Sequence, residues 1–171
     1  MRAAIAKGSA VFSRCGRYRY VLRRQWDSWK GVVMFVGLNP STADAEKDDP
    51  TIRRCVRFAR DLGFGSVIVV NLFAYRATRP GVLRDVRDPV GRLNDRWIER
   101  CRKEADLVIA AWGVHGSWRG RDRAVMSRLG EMICLGHTKA GQPRHPLYLR
   151  ASARTMAFGA RKPETRNQKP E

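Results

Sequence analysis

The sequence predicts a three-layer α/β/α domain built on a central, mainly parallel four-stranded sheet, with an extra strand from an N-terminal β-hairpin. Two observations predict it. Four short apolar runs, near 32–38, 67–72, 107–112 and 132–135, are bounded by polar or glycine residues. They are separated by segments whose apolar residues recur at helical spacing, and strands alternating with helices favour parallel sheets covered on both faces.

The elements follow in order. Residues 1–15 read as an N-terminal extension, 16–150 as the single domain, and 151–171 as a basic, disordered tail. "RYRYVLRRQW" (17–26) alternates and carries charge, which suits an exposed sheet edge. "DSWKG" is expected to turn it into "VVMFVGL" as a hairpin. That second run lacks alternation, so both its faces should be covered. In "DDPTIRRCVRFARDLG", Asp49 can cap a helix over 50–62 and Pro50 fits its first turn. Ile52, Cys55, Val56, Ala59 and Leu62 form the inner stripe, and Gly63 can close the helix. "SVIVVNLFAY" is the next strand, and Asp88-Pro89 repeats the helix start for a helix over 89–104. "DLVIAAWG" gives a third core strand, "RDRAVMSRLGE" a shorter helix and "MICLG" a fourth strand.

Composition narrows the function classes. The chain has 171 residues and 34 Lys plus Arg against 16 Asp plus Glu, a net charge of +18. Such a surface attracts polyanions, nucleic acid foremost. No run reaches the ~20 apolar residues of a membrane span, and no secretory signal is evident. The four cysteines, Cys15, Cys55, Cys101 and Cys134, are widely spaced, which fits reduced thiols and a cytoplasmic setting. No phosphate-binding loop, nucleophile elbow or dinucleotide fingerprint occurs. No cofactor is implied, and a monomer is expected.

In parallel sheets ligands bind beyond the strand C-termini. The informative residues there are Asn39-Pro40-Ser41, Asn71, Trp112-Gly113 and the segment around His145-Pro146. Asn71 interrupts an apolar strand; its amide can read the edge of a base or satisfy loop backbone. Asn39 can orient a water or substrate, or pin the turn before Pro40. His145 can donate to a developing oxyanion or bind phosphate. Asp44, Glu46, Asp48 and Asp49 could form a magnesium site or decorate a helix N-terminus. His137 lies three residues from Cys134, too few ligands for zinc.

"VGLNPSTADAEKDDPTIRRC", "NLFAYRATRP", "AAWG" and "HPLYL" resemble the bacterial and phage family called domain of unknown function 1643, from about Gly16 to Leu149. No settled activity accompanies that family. A more distant resemblance is to the uracil-DNA glycosylase superfamily. "GLNP" looks like its first motif, "VIAAWG" like its third strand, and His145-Pro146 like the start of its last motif. That resemblance implies a catalytic pair, Asn39 holding the water and His145 stabilising the departing base, with Asn71 reading the base. Phe73 and Tyr75 lie nearby as candidate base-binding aromatics, and Arg76 and Arg79 are the expected phosphate contacts. Ser41 and Leu147 depart from the superfamily pattern. The expected partner is nucleic acid, DNA before RNA, or a nucleotide. The alternatives are a non-catalytic nucleic-acid-binding module and a metal-dependent nucleotide hydrolase using the 44–49 cluster.

Overall fold

A computed structural model describes residues 7–159. Its centre is one seven-stranded mixed sheet in the order β1-β2-β4-β3-β5-β6-β7. The strands are β1 (Lys7–Phe12), β2 (Arg19–Gln25), β3 (Val32–Gly37), β4 (Ser66–Asn71), β5 (Leu107–Ala110), β6 (Met132–Cys134) and β7 (Met156–Phe158). The expectation of a mainly parallel four-stranded sheet is corrected here. Pairings β1/β2, β2/β4 and β6/β7 are antiparallel, whereas β4/β3, β3/β5 and β5/β6 are parallel.

Two strands lie where disorder or an extension was expected. β1 comes from the N-terminal extension, and β7 comes from the tail, whose residues 160–171 fall outside the described ones. β1 takes the edge, so β2 is an inner strand rather than the exposed one its arginines suggested. Arg19 and Arg24 on β2 are buried.

β2 and β3 do not form a hairpin, because β4 lies between them. The connection passes under the start of β4. Trp26 N–H and Asp27 N–H donate to the Gly65 carbonyl, and Gly65 N–H donates to that of Gly31. A Cβ on residue 65 would stand 1.9 Å from the Asp27 carbonyl oxygen, which is why glycine is required at this crossing.

Three helices cover the sheet: α1 (Pro50–Asp61), α2 (Asn94–Glu104) and α3 (Arg121–Leu129). Val33, Phe35, Val67, Val69 and Ile109 face α1 through Ile52, Cys55, Phe58 and Ala59. The opposite face, Met34, Val36, Ile68 and Val70, packs on Ile98 and Cys101 of α2 and on Val125 and Leu129 of α3. α1 starts as the sequence indicates: the Asp49 carboxylate accepts from Ile52 N–H at 2.9 Å. α2 starts later than Pro89. The Asp88 carboxylate instead accepts from Gly91 N–H, and the Pro89 and Val90 carbonyls accept from Tyr75 and Ala74 N–H. Residues 88–91 are thus held by the chain leaving β4 and are not free to coil. Among the described residues, no helix is long and apolar enough to cross a membrane, and all four cysteines are free thiols.

Beyond β5, the Trp112 indole lies against Gly116. A Cβ there would stand 1.9 Å from Trp112 Cδ1. The ring cannot swing aside freely, because its Nε1–H donates to Gln142 Oε1 at 2.7 Å. Gly116→Ala should therefore destabilise the fold by about 1–3 kcal/mol, as overpacking does, read as a lower urea midpoint.

Candidate functional site

The C-terminal edge of the parallel strands holds a cavity on the α1 side. It is about 40 Å³, or about 420 Å³ of non-atom space when its open mouth is included. Asn39, Asn71 and His145 all line it, together with Arg19, Asp49 and Phe35, which the sequence did not single out for this role.

Asn71 ends β4 and is paired in register with Gly37, the last residue of β3. The missing Cβ at Gly37 makes room for it: one built there would stand 2.7 Å from Asn71 Oδ1. Asn71 is buried, and its Nδ2 has no hydrogen-bond partner. The backbone behind it is clamped. Asn94 Nδ2 donates to the carbonyls of Asn71 (2.9 Å) and Leu72 (3.2 Å), and Arg121 Nε donates to that of Leu72 (2.7 Å).

Asn39 spends its amide hydrogens on backbone, donating to the carbonyls of Ala77 (2.8 Å) and Pro40 (3.0 Å). The turn-pinning reading of this residue is therefore real. It leaves Oδ1 as an acceptor able to orient a water.

His145 stands at the start of a short 3-10 helix, Pro146–Tyr148. Its Nδ1 accepts from Leu147 N–H at 3.3 Å, so the neutral ring carries its proton on Nε2. Burial holds the imidazole below its ordinary 6.5, against the opposing pull of Asp49. The segment is tied to α1 by Arg54, which donates to the Pro146 carbonyl at 3.3 Å and to the Leu149 carbonyl. Arg54 therefore faces this loop and not open solvent.

Arg19 is 2% exposed. Its Nη1 donates to the Ala43 carbonyl, but its Nε has no partner. Desolvation brings its pKa down to about 10, so it remains a cation at neutral pH. Two buried donors without acceptors thus line one cavity. Each such group costs about 1–3 kcal/mol if left unmade, and water or a ligand bearing acceptors would recover part of that cost.

The other candidates lie elsewhere. Phe73 is fully buried and packs on Trp118, with ring centroids 5.1 Å apart. Tyr75 meets Tyr18 edge to face. Arg76 lies over the Phe12 ring and donates to the Gly16 carbonyl. Arg79 is exposed, at the head of the 3-10 helix Pro80–Asp85.

The acidic knot is explained by its neighbours. Asp44 accepts from Glu46 and Lys47 N–H, each at 2.8 Å, and these bonds hold its carboxyl below the usual range. Asp48 pairs with buried Arg24 at 2.8 Å, and Arg24 also donates to the Asp44 and Lys47 carbonyls. Asp49 caps α1. Among the described residues, no group of three or more His, Cys, Asp or Glu could hold a metal ion.

The His145 environment has a pH consequence. Because the folded pKa is depressed, the unfolded chain binds more protons between that value and 6.5. Stability from this group is therefore intact above 6.5 and falls as acid carries the pH down toward the folded pKa. His145→Gln should lose stability less steeply than wild type between about pH 7 and 5 in urea melts. Parallel slopes for the two proteins would contradict this.

No curated protein and no solved structure matches the chain. A family does match, over residues 19–147, the span that contains the whole cavity lining. The protein belongs to the family described as Protein of unknown function (DUF1643).

Proposed function

We propose that the cavity binds a nucleobase, within nucleic acid or a nucleotide, and hydrolyses its N-glycosidic bond. The observation that carries this reading is the convergence of three complementary groups: the acceptor of Asn39, the unpartnered donor of Asn71 and the Nε2–H of a neutral His145. Water held by Asn39 Oδ1 attacks the anomeric carbon, and the proton it gives up passes through solvent to the departing base, which leaves as the neutral heterocycle. The bond from that carbon to the base nitrogen breaks, and its electron pair leaves with the base. His145 donates a hydrogen bond to the base as negative charge builds there, and a neutral donor needs no prior deprotonation. Asn71 Nδ2 reads an acceptor on the base edge.

A cavity of about 40 Å³ holds a water but not a base. Ligand entry therefore widens it, with the base extruded from its stack as in other enzymes that act on bases. The binding-module alternative shares the same contacts and differs only in lacking turnover. The metal-dependent alternative is less favoured, because Asp44, Asp48 and Asp49 are each already engaged in the loop, in an ion pair and in the helix cap.

The deciding assay scores abasic sites on single- and double-stranded DNA carrying uracil, hypoxanthine or modified pyrimidines. Asn39→Ala and His145→Ala should each lower base release by ~100-fold or more, and Asn39→Ala should also lower the melting temperature, because its amide holds the Ala77 and Pro40 carbonyls. Tight binding by the wild type without base release would favour the binding module. Activity surviving both substitutions would mean that other residues carry the chemistry.

Phosphate contacts give a second prediction. Each neutralised duplex phosphate contributes roughly −0.9 to the slope of log affinity against log salt. Arg79→Ala should flatten that slope by about one such unit. Arg76→Ala should chiefly lower the melting temperature, since its guanidinium holds Phe12 and Gly16. The reverse pattern would exchange their roles.

A further inference from the structure

A second cavity, about 160 Å³, opens on the other side of Leu38 from the Asn71 pocket. Leu38 lines both, so the two cavities adjoin at this residue. Its walls are Phe73 and Trp118, and Arg84 and His115 stand at its exposed rim. An aromatic pair belonging only to the core would close on itself. Here Phe73 is fully buried, but Trp118 is only half-buried and lines the cavity.

The backbone is bent to present that ring. The run Val114–Gly120 breaks at Trp118 (ψ 131°) and Arg119 (φ 54°, ψ 22°). Among the described residues, Arg119 is the one non-glycine residue with positive φ. A residue held there costs energy, and such strain tends to collect at functional sites. The Arg119 guanidinium lies 4.6 Å from the centre of the Trp118 ring. The result is an aromatic platform with cationic neighbours, the combination that binds single-stranded bases by stacking and their backbone by charge.

We infer that this second cavity holds the ring of the nucleotide adjoining the one at Asn71, so that the ligand spans at least two nucleotides. The inference rests on the base-binding reading of the Asn71 pocket. Trp118 then contacts that base, with the buried Phe73 backing its ring. Arg84 faces the phosphate side at the rim.

The test is calorimetric titration of the full chain with a deoxyuridine mononucleotide and with its dinucleotide. Wild type should bind the dinucleotide more tightly. Trp118→Ala should cost the dinucleotide roughly 5- to 150-fold, the range for loss of one base–aromatic stack, and leave the mononucleotide unchanged. Trp118→Phe should restore most of the loss. Arg84→Glu, at an exposed position and safe for folding, should weaken the dinucleotide several-fold without touching the mononucleotide. Asn71→Ala should weaken both ligands. Equal wild-type affinity for the two ligands, or dinucleotide affinity indifferent to both Trp118→Ala and Arg84→Glu while Asn71→Ala still damages it, overturns the second subsite alone. Affinities indifferent to Asn71→Ala overturn the base-binding reading and the inference with it.

Discussion

The site depends on the clamp at the end of β4. A strand that stops at a polar residue leaves carbonyls pointing past the sheet, and buried carbonyls need donors. Asn94 and Arg121 supply them, from the first turn of α2 and the first residue of α3. Arg121 is itself paired with Asp95. Two helices on one face of the sheet thereby fix the strand end whose side chain, Asn71, points into the cavity on the other face. The clamp also sets where the chain turns after Asn71, so that Leu72 and Phe73 join the α2/α3 core. One backbone anchor thus divides the strand edge into two cavities.

The parts of the site legible in the sequence are those announced by interrupted hydrophobicity. Asn39 and Asn71 each end an apolar run, and His145 follows the last core strand. All three line one cavity. Arg19 was hidden because its neighbourhood reads as an exposed, charged edge. The segments that bury it lie outside its own strand: α1 and the 43–49 loop close over one side, and β1 takes the outer edge. Nothing local distinguishes a buried arginine from a solvated one in "RYRYVLRRQW". The only hint is the uninterrupted apolar stretch Tyr20-Val21-Leu22, which suits an inner strand better than an edge.

The same long-range logic explains the misread connections. A short loop after an alternating strand ordinarily makes a hairpin, yet here Gly65 permits another strand to pass between the two. Asp88-Pro89 is a sound helix start by local rules. It loses because the carbonyls of Pro89 and Val90 are needed to satisfy the backbone leaving β4. Phe73, Tyr75 and Arg76 were grouped by sequence proximity to Asn71. The chain turns there, and proximity in sequence ceases to mean a shared face.

Charge in the cavity is the final constraint on any ligand. Arg19 and Asp49 line it together, but they form no ion pair within 4 Å, and each has a separate structural bond, to Ala43 and to the α1 N-terminus. His145 is held neutral. The lining is therefore close to neutral in total yet locally divided, with donors on Arg19, Asn71 and His145 and a carboxylate beside the helix start. A uniformly anionic group such as phosphate gains from Arg19 but must approach Asp49, where like charges repel. A planar heterocycle with acceptors on one edge meets the donors without forcing that contact. Under the proposed base-binding reading, the buried cation would serve the base edge, and phosphates would stay outside with the exposed arginines. That partition matches the small, donor-rich interior and the strongly basic exterior of the same protein.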